Sequence, residues 1–411
     1  MKKLVTTLAA AAVVGMLAVP AMAATEWKFG ASLRYETFWN QVDFGKAKHA
    51  DLQGGGASLK EDGKLAWGTR SNSRIKMNMK SDHLEGYIEL GYDVDGNSVT
   101  TREYWGRYKF NDLFSITIGQ QAQLFNTGGL SGMVWGGDWA LHGVGTSWRL
   151  ATPKITFAYG NFAFALAQPY SGSHRAIGGF TAQSATNNTA GVNYATMDRD
   201  YYMPALQASY QFKSDTWRAK IAGAYLWQKV NDITQTNQNW NKKDENIHSW
   251  LISADGNLYF GPLSFAAAVS VGQNWADAEW NTKNSIAGDY TNAKALNTFG
   301  VQRYGTKLKD TTSVMGALIV KYRLTEALAL EAGGSYRYDD NKAFSKNSNI
   351  FVLYAQAAYT VAPGFTITPE IGYIDWGKGV GLKSGGAGAT AGSKLDQGYT
   401  WYAGAKWQMD F

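Results

Sequence analysis

The sequence predicts an all-β fold, a transmembrane antiparallel β-barrel of about 16 strands, on three observations. Segments all along the chain alternate apolar and polar residues with a period of two. No stretch after residue 23 approaches the roughly 18 consecutive apolar residues of a spanning helix, the best being 314–320. Short turns and long polar connections also take turns along the chain, as they do where strands cross a bilayer and return. Lipid leaves no water to satisfy a backbone amide, so strands that span it must close on themselves.

The first residues, Lys2 and Lys3, then an apolar run from Leu4 to Val19, then Pro20 and Ala21-Met22-Ala23, have the order of a secretory signal peptide cut after Ala23. Residues 1–23 are read as that peptide and 24–411 as the barrel. Without Lys2 and Lys3 the formal charge falls from +6 to +4, a mild excess that argues against a nucleic-acid partner. The absence of cysteine excludes disulfides and thiolate chemistry, and 7 prolines against 46 glycines, 16 Trp, 23 Tyr and 18 Phe is a β-rich composition.

A first strand starts at Glu26, with Trp27, Phe29, Ala31, Leu33 and Tyr35 on one face and Lys28, Gly30, Ser32, Arg34 and Glu36 on the other. After a loop from Val42 to Leu65, Ile75, Met77 and Met79 oppose Arg74, Lys76 and Asn78 in a second. Leu84, Ile88, Leu90 and Tyr92 oppose Glu85 and Glu89 in a third. Tyr104, Tyr108 and Phe110 oppose Glu103, Trp105 and Arg107 in a fourth, and Phe114, Ile116 and Ile118 mark a fifth.

A Gly-rich connection, 121–145, precedes a sixth and seventh strand that meet near Gly160-Asn161 with poorer alternation. The eighth places Leu206, Ala208, Tyr210 and Phe212 on its apolar face. The remaining strands are read at 217–227, 250–260, 263–271, 314–322, 328–338, 351–359, 365–373 and 399–411. Trp27 and Trp39 lie twelve residues apart, roughly 28 Å along the membrane normal at ~3.3 Å per residue and ~45° tilt. Trp217 and Trp227 give roughly 23 Å by the same arithmetic, so both pairs match two aromatic girdles flanking an apolar band.

The outward faces carry no charge at mid-strand, while the inward faces carry Arg34, Glu36, Arg74, Lys76, Glu89, Arg107, Lys220, Glu331 and Glu370. Inward Lys and Arg outnumber inward Asp and Glu, which predicts a water-filled lumen with weak anion preference. The rival reading of these charges is a set of mutually neutralising pairs that select nothing. Trp105, Tyr87, Tyr259, Tyr354 and Tyr402 also fall inward by parity and would suit stacking of sugars.

Other motifs carry little. Asp93-Val94-Asp95-Gly96-Asn97 starts like a calcium loop, yet its glycine falls at the fourth place and Tyr104 stands where the closing Glu belongs, so a hairpin turn is the better reading. His49, His83, His142, His174 and His248 form no metal or catalytic spacing, Gly54-Gly55-Gly56 is not followed by a P-loop Lys, and no cofactor is expected. The class expected is a passive channel and not an enzyme.

With its leader, turn-and-loop asymmetry, about sixteen strands and terminal Phe411, the chain resembles the general trimeric porins of Gram-negative outer membranes, and most of all the homotrimeric porins of sulfate-reducing bacteria. That resemblance covers the mature chain. It implies short periplasmic turns, long extracellular loops, location in the cell outer membrane among its lipids, and passive diffusion of small hydrophilic solutes and ions. It further implies that 121–145 folds into the lumen as a pore-constricting loop, and that Phe411 is the assembly signal for the barrel-assembly machinery. Asp138 is the only acid in that loop, beside Trp135 and Trp139, a departure from acid-rich constrictions. A substrate-specific channel for a sugar or an organic anion is the alternative. Outward Ala31, Ala355, Ala357, Ala403 and Ala405 would suit a subunit interface in a homotrimer.

The facing carries a direct test. A cation at the lipid midplane costs about 2–4 kcal/mol, so Ile221→Arg is expected to lose far more heat stability than Lys220→Ile. Equal melting of the two proteins, followed by heat-modifiable gel migration, would reverse the assignment of faces.

Overall fold

A computed structural model describes residues 25–43, 63–70, 72–93, 98–147, 151–169, 196–234, 242–275, 277–278, 280, 302–304, 307–341, 347–380, 394–396 and 398–411. The leader, the loop glycines 54–56, His49, His174 and the calcium-like residues 94–97 lie outside these.

Among the described residues, sixteen strands close one antiparallel barrel in which each pairs with its neighbours in sequence. They are β1 (Glu26–Asp43), β2 (Lys64–Thr69 continued by Arg74–Lys80), β3 (Leu84–Asp93), β4 (Ser98–Lys109), β5 (Phe114–Ala122), β6 (Ala151–Tyr159), β7 (Phe162–Ala167) and β8 (Thr196–Asp200 continued by Ala205–Lys213). The rest are β9 (Trp217–Thr234), β10 (Lys242–Phe260), β11 (Leu263–Gln273), β12 (Thr311–Arg323), β13 (Leu328–Asn341), β14 (Ser348–Ala362), β15 (Phe365–Asp375) and β16 (Tyr399–Asp410). Two small ribbons, Gln302–Tyr304 with Lys307–Lys309 and Lys378–Val380 with Lys394–Asp396, stand outside the barrel sheet.

Closure is made by the chain ends. β1 pairs with β16 from Ser32 opposite Asp410 to Asp43 opposite Tyr399. The main chain of Phe411 exchanges two further bonds with Ala31, at 2.9 and 3.2 Å. Neither strand is left as an edge, which is the condition for a sheet to sit in lipid.

One rim carries tight turns such as 81–83, 160–161, 261–262 and 363–364, and the other carries the long connections. Gly160 and Gly261 take φ of 55° and 56° inside two-residue turns, a backbone region that L side chains enter only with strain. The period-two facing is seen directly on β12, where Leu318 is 60% exposed and Ile319 is 0%. On β9, Ile221 is 53% exposed and Ala222 is 3%.

The structure extends two strands well past the sequence reading, β9 on to Thr234 and β10 back to Lys242, and departs from it further at β2, β8 and β4. β2 begins at Lys64, ten residues before the Arg74 at which alternation becomes legible, and is interrupted at 70–73. There the Ser73 hydroxyl accepts from the Arg34 amide at 2.9 Å and the Arg70 amide donates to the Arg34 carbonyl at 2.9 Å, so side chain and irregular backbone replace the ladder. β8 likewise reaches back to Thr196, through a polar run with no apolar alternation to betray it. In β4 the register slips between Glu89 and Leu90, leaving Arg102 as the extra residue of a bulge. The bulge turns Arg102 inward beside Glu103, whereas strict parity from Trp105 would aim it at lipid.

Candidate lumen site

The barrel interior is organised by the segment between β5 and β6. Residues 123–147 lie inside, and Phe125, Met133, Leu141, Val144, Thr146 and Ser147 are all fully buried. Four types of contact seat this segment. Gly145 lies so close to the wall that a Cβ there would stand 2.4 Å from Cβ of Ser335 and 2.8 Å from the Gly316 carbonyl.

Carboxylates of the far wall accept its amides. Glu370 on β15 takes the N–H of Val134 at 2.7 Å and of Trp135 at 2.9 Å, and Glu331 on β13 takes that of Gly132 at 2.6 Å. A carboxyl buried at the wall is costly unless donors reach it, and the loop amides are those donors.

Aromatic rings supply the third contact. Trp135 stacks on Tyr402 at 4.8 Å and 18°, while its indole N–H donates to Asn40 at 2.6 Å. Tyr402 and Tyr354 in turn lie across Gly372 and Gly333 of neighbouring strands, where a Cβ would strike the rings at 2.2 and 2.6 Å. At the segment's turn, Trp135–Asp138, Gly136 and Gly137 take φ of 67° and 83°, and Asn72 donates to the Gly137 carbonyl at 2.9 Å.

Finally the turn delivers Asp138 to β1 and β16. Its carboxylate meets the guanidinium of Arg34 and, at 3.2 Å, the ammonium of Lys406. On the same wall Glu89 meets Arg74 at 3.2 Å and Arg102 at 2.7 Å, and accepts from the Tyr87 hydroxyl at 2.6 Å. Glu85 meets Arg107 at 3.0 Å and also Lys109. Lys76 stands opposite Glu89 in register, and Glu36 forms an ion pair with Arg70.

Along the wall of β16 and β1–β4, Asp138 of the infolded segment and Glu89 and Glu85 of β3 are thus each met by two cations. Arg107 also lies over the Trp105 ring at 5.1 Å. Across the lumen, Glu331 is met by Lys321 at 3.0 Å as well as by loop and tyrosine donors, and Lys220 is met by Asp255 at 3.2 Å and reaches the Asn126 carbonyl. Loss of Lys220 therefore leaves Asp255 without that cation, and Lys220→Gln is a milder control than Lys220→Ile.

Nine of the ten residues singled out in the sequence fall into two groups. Arg34, Glu36, Arg74, Lys76, Glu89, Arg107 and Asp138 come together on one wall. Glu370, 4% exposed, and Glu331 lie under residues 131–135, so their carboxylates meet backbone and tyrosine donors; Lys220 sits apart on β9. Tyr354 and Tyr402 are buried by the same segment and offer no face to a sugar.

Sequence reasoning missed Arg70, Arg102, Lys406 and the buried pair Arg337–Asp339. Lys406 and Arg337 obey parity and were open to discovery; Arg70 and Arg102 sit at a strand break and a bulge. Among the described residues no group of three His, Cys, Asp or Glu is placed to hold a metal ion.

No protein-family model matches the chain, and no curated protein is significantly similar in sequence. Solved structures are similar in fold. The outer-membrane channel DcaP of Acinetobacter baumannii superposes with a TM-score of 0.63 at 13% identity, over 96% of this chain and 99% of that one. The fold is that of an outer-membrane porin. An anion-selective porin from Comamonas acidovorans gives 0.55 at 9% identity, over 94% and 100%. The trimer form of OmpT, an outer-membrane protein of Vibrio cholerae, gives 0.53 at 12%, over 94% and 100%.

The seating of 123–147 depends on there being no side chain at 145. Gly145→Leu is expected to lift the segment from β12 and β13 while leaving the barrel closed. The check is protease added to folded, heat-modifiable protein: cleavage within 123–147 is expected in the variant, and equal resistance of variant and parent would refute the close approach.

Proposed function

We propose that this protein is an outer-membrane porin of a Gram-negative bacterium, secreted with loss of residues 1–23, that passes small hydrophilic solutes and ions by passive diffusion with a weak anion preference. The observation that carries the preference is the lumen's charge asymmetry. Asp138, Glu89 and Glu85 each face two cations, whereas Glu370 and Glu331 opposite are occupied by the amides of 132–135.

Magnitude explains why the preference is weak. One net charge ~7 Å from an ion in water is worth roughly 0.6 kcal/mol, or about threefold in local concentration. Beyond the ~8–10 Å Debye length at physiological salt this fades. Three such nodes bias which ions enter; they do not bind one tightly. In this reading 123–147 narrows the pore, and the solute path runs past the cation-rich wall of β16 and β1–β4.

The partners follow from the same reading: outer-membrane lipids around the apolar band and two further copies in a homotrimer. The trimer form of the Vibrio cholerae protein supports the latter, as do the small outward residues Ala31, Ala355, Ala403 and Ala405 on β1, β14 and β16. The link to porins of sulfate-reducing bacteria rests on sequence layout alone. A channel specific for organic anions is the second reading, favoured by the paired cations at each carboxylate; a sugar channel lacks the rings of Tyr354 and Tyr402.

Two measurements test this. Replacing Arg34, Arg74 and Arg107 together by Gln leaves each of the three carboxylates with one cation. The anion-to-cation permeability ratio from reversal potentials in a low-salt gradient is expected to fall from about two- to fivefold toward one. An unchanged ratio would show that these residues do not set selectivity. Separately, deletion of Phe411 is expected to reduce insertion by the cell's assembly machinery while purified protein still refolds in detergent. Equal surface levels with and without Phe411 would remove its role as the signal.

A further inference from the structure

A second stretch of chain enters the lumen directly after β11. Asn274, with φ of 53°, turns the chain inward, and its side chain ties the turn to Asp310 at 2.8 Å and to the His248 carbonyl at 3.1 Å. Trp275 then lies across Gly272, its indole N–H donating to the Trp250 carbonyl at 3.2 Å, and is 0% exposed. Gln228 donates to the Asp277 carbonyl at 3.1 Å, and the ring of Trp280 meets Phe125 edge to face at 5.6 Å. The two infolded segments therefore touch each other as well as the wall.

Arg337 stands where both can be held. Its side chain projects inward from β13, opposite Met315 in register, and is 1% exposed. One guanidinium nitrogen donates to the Gly143 carbonyl of the first segment at 2.8 Å. Two others donate to a single oxygen of Asp339, at 3.1 and 2.9 Å, and that oxygen also accepts from the Ser313 hydroxyl. The guanidinium carbon lies over the Trp275 ring of the second segment, 5.9 Å from its centre.

A desolvated cation is costly unless partners meet it, and here one carbonyl comes from the first segment and one aromatic ring from the second, so losing either segment removes a partner and raises the cost of keeping the other in place. We propose that Arg337 is a positioning residue that clamps 123–147 and the stretch marked by Asn274, Trp275, Asp277, Ala278 and Trp280 to the barrel wall as one unit, so that the two are seated or released together. The consequence for ion flow rests on the channel reading above; the clamp itself does not.

The chain has no cysteine, so an introduced thiol is unique. Val144→Cys reports the first segment and Ala278→Cys the second, since both positions are buried. In the parent, a membrane-impermeant maleimide is expected to react slowly at either. In an Arg337→Gln, Asp339→Asn background, which removes both charges together, labelling at both positions is expected to rise about tenfold or more while heat-modifiable migration persists. Single-channel conductance should rise about twofold as the lumen widens.

Faster labelling at only one thiol, at neither, or already at both in the parent would overturn the clamp. Should the double variant not fold, Arg337→Lys keeps the charge beside Asp339 but loses the planar fork and stacking face. It is then expected to label both thiols at rates between those of the parent and of the free thiol. Absence of conductance steps in the parent would refute the channel reading and leave the thiol result standing.

Discussion

A sheet in hydrocarbon has to pair every backbone amide and carbonyl, and this requirement governs the molecule. It forces β1 onto β16, it ties Phe411 to Ala31, and it forbids an edge anywhere around the ring. Closure then makes parity global. A slip of one residue in any strand would send its charged face into lipid and its apolar face into the lumen, so all sixteen registers are held by the same energetic penalty.

Inside, the problem is reversed, because a polar wall must receive two stretches of irregular chain. Irregular backbone carries unpaired N–H and C=O groups that cannot be buried alone. The wall answers with side chains: Glu370 and Glu331 accept amides, Arg337, Asn40 and Gln228 meet carbonyls or an indole, and glycines leave room for flat rings and for Gly145. Buried carboxylates and a buried guanidinium, costly in isolation, are retained because the infolded backbone completes their hydrogen bonds.

That solution has an electrostatic by-product. The acids that could have balanced the lumen are held by the backbone of 132–135, and Asp138 offsets only part of a wall rich in arginine. The charge asymmetry thus follows from how the segment is anchored rather than from composition, whose net charge is modest.

Much of the fold is legible in the sequence alone. Period-two alternation identified an all-β barrel of about sixteen strands, and parity placed Arg34, Arg74, Lys76, Glu89 and Arg107 on the polar face, because both signals are local and repeat at every second residue. Parity failed at Arg102, where a bulge inserts a residue, and it missed the first half of β2, where Arg70 sits beside the interruption at 70–73. Facing, however, does not tell which inward group meets which. That Glu370 holds loop amides, that Asp138 bridges Arg34 and Lys406, and that Arg337 touches both infolded segments depend on residues more than sixty positions apart meeting across the lumen. Alternation along a strand carries no record of such meetings, so the tertiary structure alone decided them.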